Sequence, residues 1–204
     1  MVSAIKYQFY ILLRPIDGFY RLKFENRGKM YITIFNVFMF WVSFSFMEFY
    51  TNFTVAIRVP AHMRNSLISL IAIVAIFLLF CVGNWAVTTL MDGEGKFSQI
   101  CMAVSYSLLP MLLAFIPATL FSHLLTADEA AFYNIVVGVS IFWFAILLFL
   151  GILVTHDYTV FKTILTFFLT FLSMLIILFL LILMFTLVNQ FFIFARSVYT
   201  EIVF

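Results

Sequence analysis

Five apolar runs constrain this chain more than any other feature: residues 30–53, 66–91, 98–121, 131–154 and 160–188. Each meets the ~20 residues an α-helix needs to cross the hydrocarbon core of a bilayer. The fold class is therefore all-α, a polytopic five-helix transmembrane bundle. Only 10% of the residues are charged, against about a quarter in a soluble domain, and no hydrophilic linker separates the runs. One membrane domain is expected over residues 30–190. Residues 1–29 precede it, and a short outer tail, 191–204, follows it.

The basic residues orient the bundle. Segments 1–29, 92–97 and 155–162 carry six, one and one; segments 54–65, 122–130 and 189–204 carry two, none and one. Lysine and arginine accumulate on the cytoplasmic side, which predicts a cytoplasmic N-terminus and an outside C-terminus. In residues 1–29 the basic residues are spread through the segment, unlike a cleavable signal peptide, where they precede an apolar core. Tyr20 to Glu25 alternate in polarity as a strand would. A lone strand beside a helical bundle has no pairing partner, so a short helix lying on the inner headgroups is expected instead, opening near Asp17-Gly18.

Polar residues inside the apolar runs are the next signal. Thr163, Thr166, Thr170 and Ser173 recur at helical spacing and line one face of the fifth run. Small hydroxyl residues let helices approach closely, so this face reads as a packing seam, with a polar path as the alternative. Pro110 and Pro117 remove N–H groups that would have bonded the carbonyls of Tyr106 and Leu113. The resulting kink is either ordinary membrane packing or a binding site of the kind found in transporters. Glu48 is the one carboxylate deep in a run, placed to pair with Arg58 or Arg64 or to hold a proton or ion. Asn84 is a second candidate intramembrane polar residue, on one helix face with Thr88 and Met91.

Several classes of chemistry find no support. A net charge of +2 and the lack of a basic-aromatic element argue against nucleic acid. Cys81 and Cys101 lie in apolar runs and read as small hydrophobes. His156 falls on the opposite side from His62 and His123, so no three ligands converge on a metal. No nucleophile elbow is present. No catalytic residue, cofactor or metal is expected.

One break stands out. Asp92-Gly93-Glu94-Gly95 interrupts the bundle between the second and third runs. It reads as a tight turn, each glycine permitting positive φ. Two carboxylates on it form a docking surface for a partner or for the basic N-terminal element, or the turn is architecture alone.

The runs Arg14-Pro15, Asp17-Gly18-Phe19-Tyr20, Leu22-Lys23-Phe24-Glu25 and Arg27-Gly28, then N-W-x-x-T-T-L-M-D-G-E-G-x-F from Asn84, then Tyr106-Ser107-Leu108-Leu109-Pro110, resemble bacterial members of the Ypt-interacting-protein (Yip) family. The resemblance covers essentially the whole chain. It implies five spans with a cytosolic N-terminus and no enzymatic activity. Eukaryotic relatives associate with Rab GTPases in vesicle traffic through a long cytosolic N-terminal region, whereas only 29 residues precede the first run here. For this chain the resemblance implies a plasma-membrane scaffold or accessory subunit of a transport or trafficking complex. Its partners would be the lipid bilayer and other membrane proteins, as a homo- or hetero-oligomer. A transporter or permease subunit with a path near the kinked third helix is the alternative.

Overall fold

The computed structural model describes residues 2–52 and 65–203, and among them every regular element is helical. In chain order these are α1 (Val2–Leu13), α2 (Pro15–Phe24), α3 (Met30–Tyr50), α4 (Ser66–Leu90), α5 (Phe97–Ser107), α6 (Leu109–Ser122), a short 3-10 turn (Ala127–Glu129), α7 (Ala130–His156) and α8 (Val160–Val203). Five spans long and apolar enough to cross a membrane result, with α5 and α6 together making the third. The polytopic bundle read from the apolar runs is the fold observed.

The N-terminal segment differs from the expected helix on the headgroups. It is two helices broken at Arg14, and their inner face is driven into the bundle: Ile11, Phe19 and Leu22 are almost wholly buried with Tyr106, Ala103 and Leu147. The second helix opens at Pro15 rather than at Asp17-Gly18. Proline suits a first helical position, where its missing N–H has no partner to lose. Gly18 supplies the close approach. A Cβ there would lie 2.7 Å from Ile11 Cγ1 and 2.9 Å from Ile11 Cα. Gly28 likewise sits against Met102 and Leu22.

The third span breaks at Leu108. Pro110 falls in the first turn of α6, where it costs no hydrogen bond, while Pro117 is accommodated inside that helix without ending it. The tail expected at 191–204 is not a separate element, because α8 continues to Val203 over 44 residues. Neither glycine nor proline occurs between Val160 and Val203, so nothing in the sequence stops it. At 1.5 Å per residue it is about 66 Å long, twice the ~30 Å hydrocarbon core.

Side chains join the spans on both ends. Near one end, Trp41 Nε1 donates to the Ser66 carbonyl (2.8 Å) and Ser69 Oγ donates to Glu48 Oε2 (3.1 Å). Glu48 thus has a partner on α4, whereas Arg58 and Arg64 lie outside the described residues. At the other end the last turn of α2, the Asp92–Gly95 turn and the α7–α8 junction come together.

Candidate functional site

The Asp92–Gly95 turn begins where α4 runs out. Asp92 takes the left-handed conformation (φ 54°), and neither Gly93 nor Gly95 does. The expectation that the glycines serve positive φ is corrected: they are there for space. A Cβ on Gly93 would lie 2.6 Å from His156 Nδ1, 2.7 Å from the Tyr158 hydroxyl and 2.9 Å from Thr88 Cβ. On Gly95 it would lie 2.7 Å from Thr155 Cγ2 and 2.8 Å from His156 Cε1. Aspartate is one of the few residues that tolerates the left-handed region. Asp157 (φ 56°) ends α7 in the same way. Two helices therefore close with the same device, side by side.

Under the turn lies His156, only 1% exposed. Its Nδ1 accepts from the Gly95 N–H at 3.4 Å, and its ring stacks on Tyr158 at 5.3 Å. The Tyr158 hydroxyl in turn donates to the Met91 carbonyl at 3.1 Å, tying the start of α8 to the end of α4. Lys162 Nζ lies 4.2 Å over the Tyr158 ring. Burial, and secondarily the nearby Asp92 charge, holds the Tyr158 phenol above its ordinary range. It stays a neutral donor.

The outer side of the turn is charged. Lys23, buried on α2, reaches Glu94 with Nζ 2.8 Å from Oε2, while the Glu94 side chain remains 62% exposed. That hydrogen bond and the lysine charge hold the Glu94 carboxyl below the usual carboxylate range. Gln99 Nε2 donates to the Lys23 carbonyl (3.3 Å), and the Lys96 N–H donates to Gln99 Oε1 (2.9 Å). Asp92 is exposed beside them. Arg27 pairs with Glu25 (2.7 Å) instead of with the turn, and Arg14 and Asp17 are exposed at the break between α1 and α2.

The remaining residues singled out above fall on helix interfaces. Thr163, Thr166 and Thr170 are fully buried, and Ser173 is half-buried where the seam runs out. Each threonine hydroxyl donates to the carbonyl four residues earlier, at 2.9, 2.8 and 2.7 Å. Asn84 Nδ2 then donates across to Thr170 Oγ1 at 3.2 Å, and Gly83 admits Met174 and the Thr170 backbone. Tyr106 is buried, and its hydroxyl accepts from the Lys29 N–H at 3.3 Å. Three buried polar atoms have no hydrogen-bond partner among the described residues: Asn84 Oδ1, Thr155 Oγ1 and His156 Nε2.

Sequence reasoning placed His156 at the right end but did not join it to the turn. It also missed a second polar ladder. Gln8 Nε2 donates to Asn36 Oδ1 (2.8 Å), Asn36 Nδ2 to the Ser105 carbonyl (3.3 Å), and Ser105 Oγ to Thr33 Oγ1 (3.1 Å). The available signal was Asn36 itself, an amide in the first apolar run, which demands a partner wherever it is buried.

This site is a brace with an exposed acidic rim. Among the described residues no three His, Cys, Asp or Glu groups are arranged to hold a metal. The family model described as the Yip1 domain matches residues 9–194 of the chain. Neither a curated protein nor a solved structure matches it.

Proposed function

The chain belongs to the Yip1-domain family, and from that membership we propose a non-enzymatic scaffold or accessory subunit of a membrane transport or trafficking complex. In this reading it resides in a bacterial plasma membrane with its N-terminus in the cytoplasm. The supporting observation is the Asp92–Gly95 turn. Its backbone is pinned from beneath by His156 and its flank is held by Lys23, yet Asp92 and Glu94 stay exposed. A fixed pair of carboxylates loses little conformational freedom when a basic partner arrives, so less of the contact energy is spent on ordering.

Replacing both charges without changing shape tests the role. Asp92→Asn with Glu94→Gln keeps the turn's volume, so expression and melting should stay near wild type while a partner disappears from pull-downs in mild detergent. Recovery of every partner at wild-type level would reduce the turn to architecture. Orientation is checked separately: a tag at Phe204 should be reachable from outside intact cells, and a cysteine placed at Lys96 should not be.

The break at Leu108 beside Pro110 favours a second reading, a transport path along the third span. The groove that Pro110 lines is walled almost entirely by apolar groups, a poor route for a polar solute. Solute flux through the purified chain in liposomes would restore this reading.

A further inference from the structure

The hairpin of α1 and α2 reaches well into the bundle. Leu12 and Leu13, at the tip of α1, line a groove of about 530 Å³ with Pro110, Leu113, Val139 and Trp143. Pro110 stands at the middle of the third span and Trp143 at the middle of α7. Trp143 is therefore roughly 20 Å along the helix from the α7 end, where His156 lies beneath the Asp92–Gly95 turn. The hairpin tip lies on the outside of the bundle, with Leu13 79% and Ile16 60% exposed. Between them sits Arg14, also exposed.

Arg14 caps α2 nine residues before Lys23, which is tied to the turn. It therefore stands up to ~14 Å of helix away from that end, and a guanidinium there is costly unless it finds an anion or reaches back to the headgroups. Among the described residues Arg14 makes no ion pair. Asp17, one turn on, is exposed and does not pair with it. The hairpin carries Lys6, Arg14, Arg21 and Lys23 against Asp17. Among the described residues Lys23 alone of the four is in an ion pair, with Glu94, so the hairpin keeps a net positive charge. Its tip offers an unpaired cation and, beside it, an apolar groove open to the lipid side.

We propose that this groove binds one anionic phospholipid, with an acyl chain along Pro110, Val139 and Trp143 and its phosphate drawn inward to Arg14. The two halves of the lipid match the two halves of the site. The apolar groove accepts an acyl chain of any lipid, so the preference must come from the headgroup, whose phosphate accepts the forked donors of an arginine. Basic groups between spans on one leaflet side bind anionic headgroups in this manner.

Trp143 supplies the reporter, since Trp41 and Trp85 are the chain's other two tryptophans. The full chain carrying Trp41→Phe and Trp85→Phe is reconstituted in phosphatidylcholine bilayers. These are doped with acyl-brominated phosphatidylglycerol or acyl-brominated phosphatidylcholine, whose bromines quench tryptophan on contact. Phosphatidylglycerol should quench Trp143 with an apparent affinity roughly fivefold higher, the contribution of one basic group near an anionic headgroup. Arg14→Gln should bring it down to the phosphatidylcholine level, and Arg14→Lys should retain part of the preference. Ala114 also lines the groove, and Ala114→Phe, which fills it, should reduce quenching by both lipids. Equal quenching by the two lipids before any change at Arg14 would mean bulk lipid fills the groove, and the proposal fails. Quenching by neither would mean that protein, a second copy included, occupies it, and the proposal fails again.

Discussion

The third and fifth spans are both apolar enough to cross a bilayer, yet they live in different surroundings. In Phe97–Ser122 most residues are buried, and in α8 every residue from Leu178 to Glu201 is exposed. The fifth is the more hydropathic of the two. The order is the reverse of that in a soluble protein, and the reason is physical. Lipid tails are as apolar as leucine, so greasiness gives no preference for the bundle interior over the bilayer. What brings helices together is closeness and hydrogen bonding. The third span owes its central place to Cys101, Ala103, Ser105 and Ser107, all nearly inaccessible. The same rule divides α8 against itself. Its first turns carry Thr163, Thr166 and Thr170 and are held by α4, and the part beyond has large side chains and touches little.

The largest effects should come where closeness is tightest. Gly93→Val would drive side-chain atoms into His156, Tyr158 and Thr88, and none of these has room to withdraw, since His156 is 1% and Thr88 1% exposed. Folded yield in detergent should fall sharply. Gly18→Val meets the α1 backbone and should behave alike. Gly138→Val is the contrast: a Cβ there meets nothing within 4 Å, so yield and melting should hold near wild type. Equal losses at Gly93 and Gly138 would show that valine lowers yield at any glycine of the bundle, and the space beneath the turn would not be what Gly93 provides.

Next in size is a comparison within α8. Thr170 and Thr186 both donate to the carbonyl four residues back, at 2.7 and 2.9 Å. One is fully buried and the other exposed. Thr170→Leu overpacks the seam against α4 and should cost about 1–3 kcal/mol; Thr170→Ala should cost less, since it keeps the surface small. Thr186→Leu should leave the melting temperature unchanged. A Thr186→Leu loss matching that at Thr170 would mean that the outer half of α8 is covered by another protein surface.

Much of this was readable in advance, for reasons that differ by feature. Span number and approximate limits follow from the bilayer's thickness, a constraint each segment meets alone. The threonine face was legible because helical spacing is local. The hairpin was not, because alternation from Tyr20 to Glu25 mimics a strand and only Tyr106 and Leu147, over eighty residues away in sequence, explain the burial of Phe19 and Leu22. The turn was located correctly and explained wrongly. Gly93 and Gly95 carry a turn signal whichever purpose they serve, and the purpose depends on His156 lying beneath them. The tail expected at 191–204 was misjudged because polarity alone does not break a helix, and no glycine or proline stands there to end α8.

The smallest expected effect is also the one that joins the two ends of the comparison, since Glu94 is held by a long-range contact yet remains exposed. Its carboxyl is depressed in the folded state by the hydrogen bond and charge of Lys23. A depressed carboxyl binds protons less readily when folded than when unfolded, so the pair stabilises the fold above the unfolded value of about 4.3. That contribution is lost as pH falls through the folded value. Screening by solvent keeps an exposed pair weak, so the melting difference between wild type and Glu94→Gln should be slight and constant from neutral pH down to about pH 5. It should then shrink toward zero at lower pH, as wild-type Glu94 takes up its proton and comes to resemble the amide. Raising salt at neutral pH should shrink it as well, because screening shortens the reach of exposed charge. A difference that persisted in acid would show that Glu94 acts through shape or hydrogen bonding, not charge. The grip of α2 on the turn would then rest on the Gln99 side-chain amide, bonded to the Lys23 carbonyl and the Lys96 backbone N–H.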